Sequence, residues 1–346
     1  MTPDGEPASP NRRIVAPVFQ GSPDSQEITP GIRTTEIRVR GKVILVPSAQ
    51  VMGSTVITTG RRLRVASIHD ERFAEPEFSI DPASFIEALK QTGLRADIFT
   101  FAQKLPDIVP RHSYYLEWDN LAVIPTTNFS DWWERRINRF KRKAVRDSAK
   151  IGMVVKQTEL NDDLIKGIVR INNETPVRQG KPFWHFNKSF DEVKSENSTY
   201  PERNIFIGAY FQDELIGAVR MICADRVAHI ALFLSMTRHR DKKTANAMVA
   251  KAVEACAHNG MSHLVYGQYV YNDYESSLTE FKRQNGFEQI LVPRYFIPLT
   301  RRGEFALKLG LHRGLTKRIP KPVLARLLRW RRRWYARRLN AGEAGG

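Results

Sequence analysis

An α/β fold of the α+β kind, with mixed, largely antiparallel sheets and flanking helices, is what the order of elements along this chain predicts. Three observations carry that expectation. Residues 153–300 read as strand, helix, three consecutive antiparallel strands, helix, strand, helix, strand, and helices set between antiparallel strands build a mixed sheet. Residues 33–130 hold short β-branched runs around one well-marked helix. The 346 residues leave room for about two domains of ordinary size.

Residues 1–32 are rich in Pro, Ser, Asp and Gly and poor in large apolar groups, so they read as disordered. The runs "TTEIRVRG", "KVILVPS", "STVITTG" and "RLRVASI" are β-branched and read as strands. In "DPASFIEALKQTGLRADIFTF", Asp81 caps a helix, Pro82 fits its first turn and Gly93 ends it before a strand. "SYYLEWDNLAVI" alternates as a further strand. The segment "NFSDWWERRINRFKRKAVRDSAKIG" reads as one helix from Ser130 or Asp131 to Gly152, with Trp133, Ile137 and Phe140 on its buried side. Eight Lys/Arg between Arg135 and Lys150 form either a solvated face or a phosphate-contacting one. In "NIFIGAYFQDELIGAVRMICADRVAHIALFLSMT", turns at Gln212–Glu214 and Ala224–Arg226 separate three strands. "TANAMVAKAVEACAHNG" is a helix closed at Asn259-Gly260, and Asn285-Gly286 closes the last one. These elements divide the chain into a lobe at 33–130, a lobe at 131–300 and a tail at 301–346.

The formal charge of +17 is uneven: the last 46 residues hold 14 Lys/Arg against two Glu, which places +12 of it in the tail. Cys223 and Cys256 lack CxxC spacing and sit in apolar runs, as reduced core thiols do. The eight His show no zinc-binding spacing, so no metal is expected. With neither a secretory h-region nor an apolar run of spanning length, the expected location is the cytoplasm.

The strand–helix order is that of GNAT acyltransferases. The stretches "VRQGKPFWHFNKSF", "RFKRKAVRDSAKIG", "YFQDELIGAVRM", "KKTANAMVAKAVEACAHNGMSHLVYG" and "LTEFKRQNGFE" narrow it. Over roughly residues 130–300 the chain resembles the FemAB-like branch, the peptidoglycan-bridge aminoacyltransferases and their BioF2-like acyltransferase relatives. The first lobe resembles the degenerate N-terminal GNAT lobe of that branch, which makes tandem GNAT-like lobes the implied fold. The implied activity is transfer of an acyl or aminoacyl group to a small-molecule amine, such as that of an envelope or polysaccharide precursor. The implied donors are acyl-CoA (acetyl-CoA) or aminoacyl-tRNA. In related transferases the lysine at the place of Lys282 faces the cleft between lobes, where a cation in a dry site stabilises the oxyanion of amine attack. A lysine ending a helix also suits the helix dipole, so its position alone does not select that role.

Ordinary GNAT enzymes bind the coenzyme A pyrophosphate on a Gly-rich loop after the fourth strand. The matching place, "RHRDKKTANAM", has no Gly; it offers Arg240, Lys242 and Lys243, a cap at Thr244, and Asn246. Beside Lys282, the catalytic candidates are Asp273, Glu275 and Tyr269 in "QYVYNDYES". The acceptor candidates are Arg178, Lys181 and Trp184 in "RQGKPFW", with His69 and Glu71 in "SIHDER". Glu117 and Asp119 are further acid/base candidates. Each of these also suits a surface or capping role. The tail segment "KPVLARLLRWRRRWYARRL" puts Leu and Trp on one helical stripe and Arg mainly opposite, as a peripheral anchor on an anionic membrane would over residues 301–340. Nucleic acid is the rival partner. A GNAT scaffold that binds nucleic acid without chemistry, or a membrane-associated structural partner, are the alternative functions.

Overall fold

The computed structural model describes residues 31–39, 42–74, 81–178, 181–271 and 275–313. The expected disordered N-terminus and the tail stripe therefore fall on residues outside those described. In chain order the strands of the first half are β1 (Arg33–Val39), β2 (Lys42–Val51), β3 (Ser54–Thr59), β4 (Val65–Ile68), β5 (Ile98–Ala102) and β6 (Tyr115–Pro125), with α1 (Pro82–Gln91) between β4 and β5. Then follow α2 (Phe129–Asp131), α3 (Arg139–Lys150), β7 (Val154–Thr158), α4 (Asp162–Asn172), β8 (Val177–Arg178), β9 (Lys181–Pro182) and α5 (Phe190–Asn197). The chain continues through β10 (Asn204–Phe211), β11 (Glu214–Ala224), β12 (Val227–Ser235), α6 (Thr244–His258), β13 (His263–Gln268), α7 (Ser277–Gln284), β14 (Glu288–Pro298) and α8 (Arg301–Lys308).

Twelve strands form one sheet in the order β1-β2-β3-β4-β5-β14-β6-β13-β12-β11-β10-β7. Among the described residues its parallel pairs are β4–β5 and β12–β13. Each is bridged by a helix, α1 or α6, as a parallel connection requires. The two halves thus repeat one motif of antiparallel strands, helix and parallel strand. They also exchange their last strands. β6, which follows β5 in the chain, pairs with β13; β14, which follows β13, pairs with β5 and β6. The fold is the mixed, tandem arrangement expected, and the exchange makes the sheet continuous across residue 130.

Local chemistry explains most of the elements. The Asp81 carboxylate accepts from the Ser84 amide at 3.2 Å, Pro82 needs no amide partner, and Gly93 turns left-handed at φ 74°. Gln212 and Asp213 both take positive φ, the two-residue turn that matches strand twist. The main core packs α4 and α6 on β10–β13, with Ile165, Ile168, Ile207, Val219, Met248 and Val253 buried. A second core packs α1 on β2–β5 and β14 around Phe85, Leu89, Phe99 and Tyr295. Cys256 is buried and Cys223 partly so, and both are free thiols.

Two expectations fail locally. The basic helix is broken: Asn128, not Ser130 or Asp131, caps α2; a π turn follows over Trp132–Arg136; Ile137 is extended at ψ 135°; and Asn138 caps α3. The break turns Trp132 and Ile137 inward and leaves Phe140 64% exposed. The compact body also runs past residue 300. Ala306 and Leu307 of α8 pack on Ile98 and Phe296, and His312 and Arg313 bond Glu117 at 2.6 and 2.7 Å. Gly303 lies against the Asp97 carbonyl with no room for a side chain.

Candidate active site

Lys282 lies on the last turn of α7 and is 0% exposed. A lysine is rarely placed so, because its charge loses water. The helix end that holds it is fixed by one buried amide. Asn285 donates to the Phe281 carbonyl at 2.7 Å, its side-chain oxygen accepts from Asn246 of α6 at 2.9 Å, and its carbonyl accepts from Trp132 Nε1 at 3.0 Å. Gly286 then turns left-handed at φ 80°, where a Cβ would strike the Trp132 indole nitrogen. Ser276 and Thr279 close the other end as a reciprocal cap.

The Lys282 Nζ donates to the Gln268 carbonyl at 2.6 Å and lies 4.6 Å from the Tyr266 ring and 4.9 Å from the Tyr271 ring. No carboxylate among the described residues lies within 4.0 Å of it. Burial pushes its pKa down to about 8. A carbonyl and two ring faces keep the cation without neutralising it. The Tyr271 hydroxyl packs on Gly267, whose φ of 56° and missing side chain make the space.

The strand that supplies Gln268 parts from its neighbour. β12 and β13 pair only from Val227–His263 to His229–Val265, although β12 runs on to Ser235 and β13 to Gln268. Both strands are irregular beyond this point: β12 carries an extra residue, Ala231, against β11, and β13 bulges at Tyr266-Gly267 against β6. Phe233 and Tyr266 face each other across the parted edges at 5.2 Å, with Phe281 at 6.1 Å from Phe233.

A cavity of about 140 Å³ lies beside the parting, between the halves of the sheet. Its walls include Gly267 and Val265 of β13, His229 of β12, Asp119 of β6, Arg294 of β14, and Glu71 in the turn after β4. Arg294 is clamped by two carboxylates, Asp119 at 2.6 Å and Glu71 at 2.9 Å. Burial would lower the Arg294 pKa, yet Glu71 and Asp119 together raise it. Glu71 also accepts from the Ala102 amide at 2.6 Å. This ion triad ties the turn after β4 to β6 and β14, and through the Ala102 amide to β5, so it fixes the cavity wall where the exchanged strands meet.

At the start of α6 the expected donor loop is a short 3-10 turn, Arg240–Lys242. Lys243, left-handed at φ 58°, takes the cap position expected of Thr244. Thr244 is instead buried, with its hydroxyl unpartnered. Asn246 turns inward to Asn285 and so does not face the loop. Lys242 reaches Asp241 at 3.1 Å and lies 4.6 Å over the Phe211 ring. Nearby, Glu174 accepts from the Thr237 and Arg238 amides at 2.6 and 2.8 Å.

The other candidates scatter. Asp273 falls outside the described residues. Glu275 is an exposed partner of Arg283 at 3.9 Å, and the Tyr269 amide bonds the Asn120 carbonyl. Of the acceptor set, only Glu71 lines the cavity. Arg178 bonds the Ser235 carbonyl at 3.0 Å and the Ile171 carbonyl at 2.7 Å, which ties the end of β12 to α4. Lys181 is exposed on β9; Trp184 is 54% exposed with its ring on His185 at 3.6 Å; His69 faces Asp70 at 3.8 Å. Arg294 and His229 were missed by sequence reasoning. The only hint was a single polar residue inside each of two apolar strands.

No helix among the described residues is long and apolar enough to cross a membrane. No protein-family model matches the chain, and no curated protein does. Solved structures do match. A C-terminal domain of a lysylphosphatidylglycerol synthetase candidate from Agrobacterium fabrum has a TM-score of 0.50 at 11% identity, covering 75% of this chain and 86% of that one. The structure of L-PGS from Bacillus licheniformis has a TM-score of 0.50 at 12% identity, covering 75% and 87%. These two likenesses show the fold, which the chain shares with those structures. FemX is also similar, with a TM-score of 0.49 at 11% identity, covering 77% and 89%.

Proposed function

We propose that the protein is an N-acyltransferase that moves an acyl group from a coenzyme A thioester to an amine. The observation that carries this reading is the parting of β12 and β13 with a buried Lys282 at the parted edge that meets no carboxylate among the described residues. Open strand edges present amide and carbonyl groups that an extended, amide-bearing arm can pair with as an added strand would. Coenzyme A has such an arm. Its phosphates would meet Arg240, Lys242 and Lys243 at the start of α6, where the helix dipole favours anions. Lys282 would then stabilise the oxyanion formed as the amine attacks. Asp273, Glu275 and Tyr269 remain candidates for proton transfer, and Arg178, Lys181, Trp184 and His69 for contacts with the outer part of the acceptor.

Replacing Lys242 and Lys243 together with Ala should raise the acetyl-CoA KM about ten-fold and leave kcat nearly unchanged, because the contacts are remote from the reacting bond. Steady-state kinetics across a panel of acyl-CoAs checks it. An unchanged KM for every donor would move the phosphates elsewhere. Aminoacyl-tRNA is the second reading, favoured by the basic face of α3. A tRNA donor would show as aminoacyl transfer that acetyl-CoA does not replace.

We also propose that the basic C-terminal region meets an anionic membrane, which would put the enzyme at the inner membrane face. In its described part, α8 exposes Phe305 (61%), with Leu309 (54%) just past its end, and carries Arg301, Arg302 and Lys308. Each cation near such a surface contributes about 1 kcal/mol. Because α8 belongs to the body, the informative truncation ends at Arg313 rather than Thr300. That chain should stay folded and sediment much less with phosphatidylglycerol liposomes, since it keeps α8 and loses the rest of the basic region. Unchanged sedimentation, or a loss of tRNA and duplex DNA binding alone, would count against the membrane.

A further inference from the structure

We propose that the protein pairs with a second copy of itself through the outer edge of β1, the two copies meeting antiparallel about Ile37. The proposal stands apart from the acyl-transfer reading, since it uses no residue of that site.

The observation behind it is an arm with too few strands. β1 and β2 pair in unbroken register from Arg33–Ser48 to Val39–Lys42. β3 joins β2 only over Ser48–Val51. Beyond Ser48 the hairpin is therefore a two-stranded ribbon, which by itself is marginally stable in water at best. The ribbon also lacks cover. Val39 of β1 and Val43, Ile44 and Leu45 of β2 are large apolar side chains left exposed. Arg38 ties the arm to Glu196 of α5 at 2.6 Å. β1 is the first strand of the sheet, so its outer N–H and C=O groups meet no strand among the described residues. Proteins blunt such an edge with bulges or proline, and β1 has neither.

The pattern of side chains along the edge says what it fits. In an antiparallel pair, residues directly opposite one another share a face, and opposite charges there attract. A two-fold axis through Glu36 would set that carboxylate against its own copy, and an axis through Arg38 would do the same with two cations. An axis through Ile37 sets Glu36 against Arg38 of the second copy, and Arg38 against Glu36 of the second copy. One symmetry operation thus makes both ion pairs, as a self-complementary interface requires. Glu36 is exposed and forms no ion pair among the described residues. Arg38 keeps donors beyond the one given to Glu196, because a guanidinium carries several N–H groups in a fork. On the other face, Ile37 stands opposite Ile44 of β2. Pairing two arms lines up Ile44, Ile37 and the same two residues of the second copy across the joined strands. The bare ribbon becomes twice as wide, with an apolar row on one face and ion pairs on the other.

Sedimentation velocity on the full chain over rising concentration tests this. A species of twice the 39.7 kDa chain mass is expected. Glu36→Arg sets two cations against each other at both ion pairs, and Arg38→Glu sets two carboxylates there. Each substitution should weaken the dimer by about ten-fold or more. Mixing the two variants should restore it as a heterodimer, since each supplies the charge the other lacks. Arg38→Glu also breaks the bond to Glu196 and Glu36→Arg does not, so recovery in the mixture separates pairing from local damage. Both side chains are exposed, and both variants should melt near the wild type. A monomer at every concentration, a dimer that both variants leave intact, or a mixture that stays monomeric overturns the proposal. The first of these outcomes would leave the bare edge to residues 1–30 of the same chain or to a lipid surface.

Discussion

Lys282→Ala is expected to lower kcat by about 10²–10³ without unfolding the protein, the scale seen when one oxyanion-stabilising group is removed. The amine is held by a carbonyl at 2.6 Å and by two aromatic rings, and no carboxylate among the described residues pairs with it. The same burial sets a pH limit. The folded protein releases the Lys282 proton at about 8 instead of 10.5. Turnover that needs the cation should therefore fall as pH rises through about 8. Stability should change in the opposite sense. The unfolded chain keeps the proton up to its ordinary pKa, so folding bears the cost of a buried charge below about pH 8, and that cost fades toward pH 10.5. Lys282→Met, of similar size and uncharged, should be inactive yet more stable by about 1–3 kcal/mol near neutral pH, with the gain shrinking at high pH. Acyl-transfer rates and thermal melts from pH 6 to 10 check both. A variant with wild-type turnover would remove Lys282 from the chemistry.

The second large effect concerns architecture. Arg294→Met leaves Glu71 and Asp119 side by side without their shared cation. Breaking a buried charge network in this way costs about 3–5 kcal/mol, a fall in Tm of roughly 10 °C. Adding Glu71→Gln should restore part of the loss, because one uncompensated carboxylate disappears. Thermal melts of the two single variants and the double variant close the cycle. Strict additivity would mean that the triad is not a unit.

The sequence made some of this legible. The three antiparallel strands, α1 with its Asp81 cap and Pro82, and the end of α7 at Asn285-Gly286 all follow local rules of turns and caps, and all are where those rules put them. Lys282 was singled out because its neighbours carry a recognisable pattern. The failures have a different origin. Nothing at Ile137 forbids a helix; the chain breaks there because Trp132 must reach the Asn285 carbonyl, a contact 153 positions away. The cavity was invisible for the same reason. Glu71, Asp119 and Arg294 meet through the pairing of β14 with β5 and β6, and no local pattern announces a register between strands so far apart. His229 lies in "VAHIALFL", where apolar neighbours make a strand interior look like plain core.

The exchanged strands have a consequence for how such a chain is made. Thr100 and Arg294, which touch across β5 and β14, are separated by 194 positions. Until β14 emerges from the ribosome, β5 keeps an open edge in the middle of the future sheet. Contacts of that sequence separation are slow to form, and an unpaired edge is a template for the wrong partner. Neither half can complete itself alone, since each lends its final strand to the other. Synthesis and folding are thus out of step by design of the topology, and a nascent chain that stalls before residue 288 has an unfinished centre rather than one finished lobe.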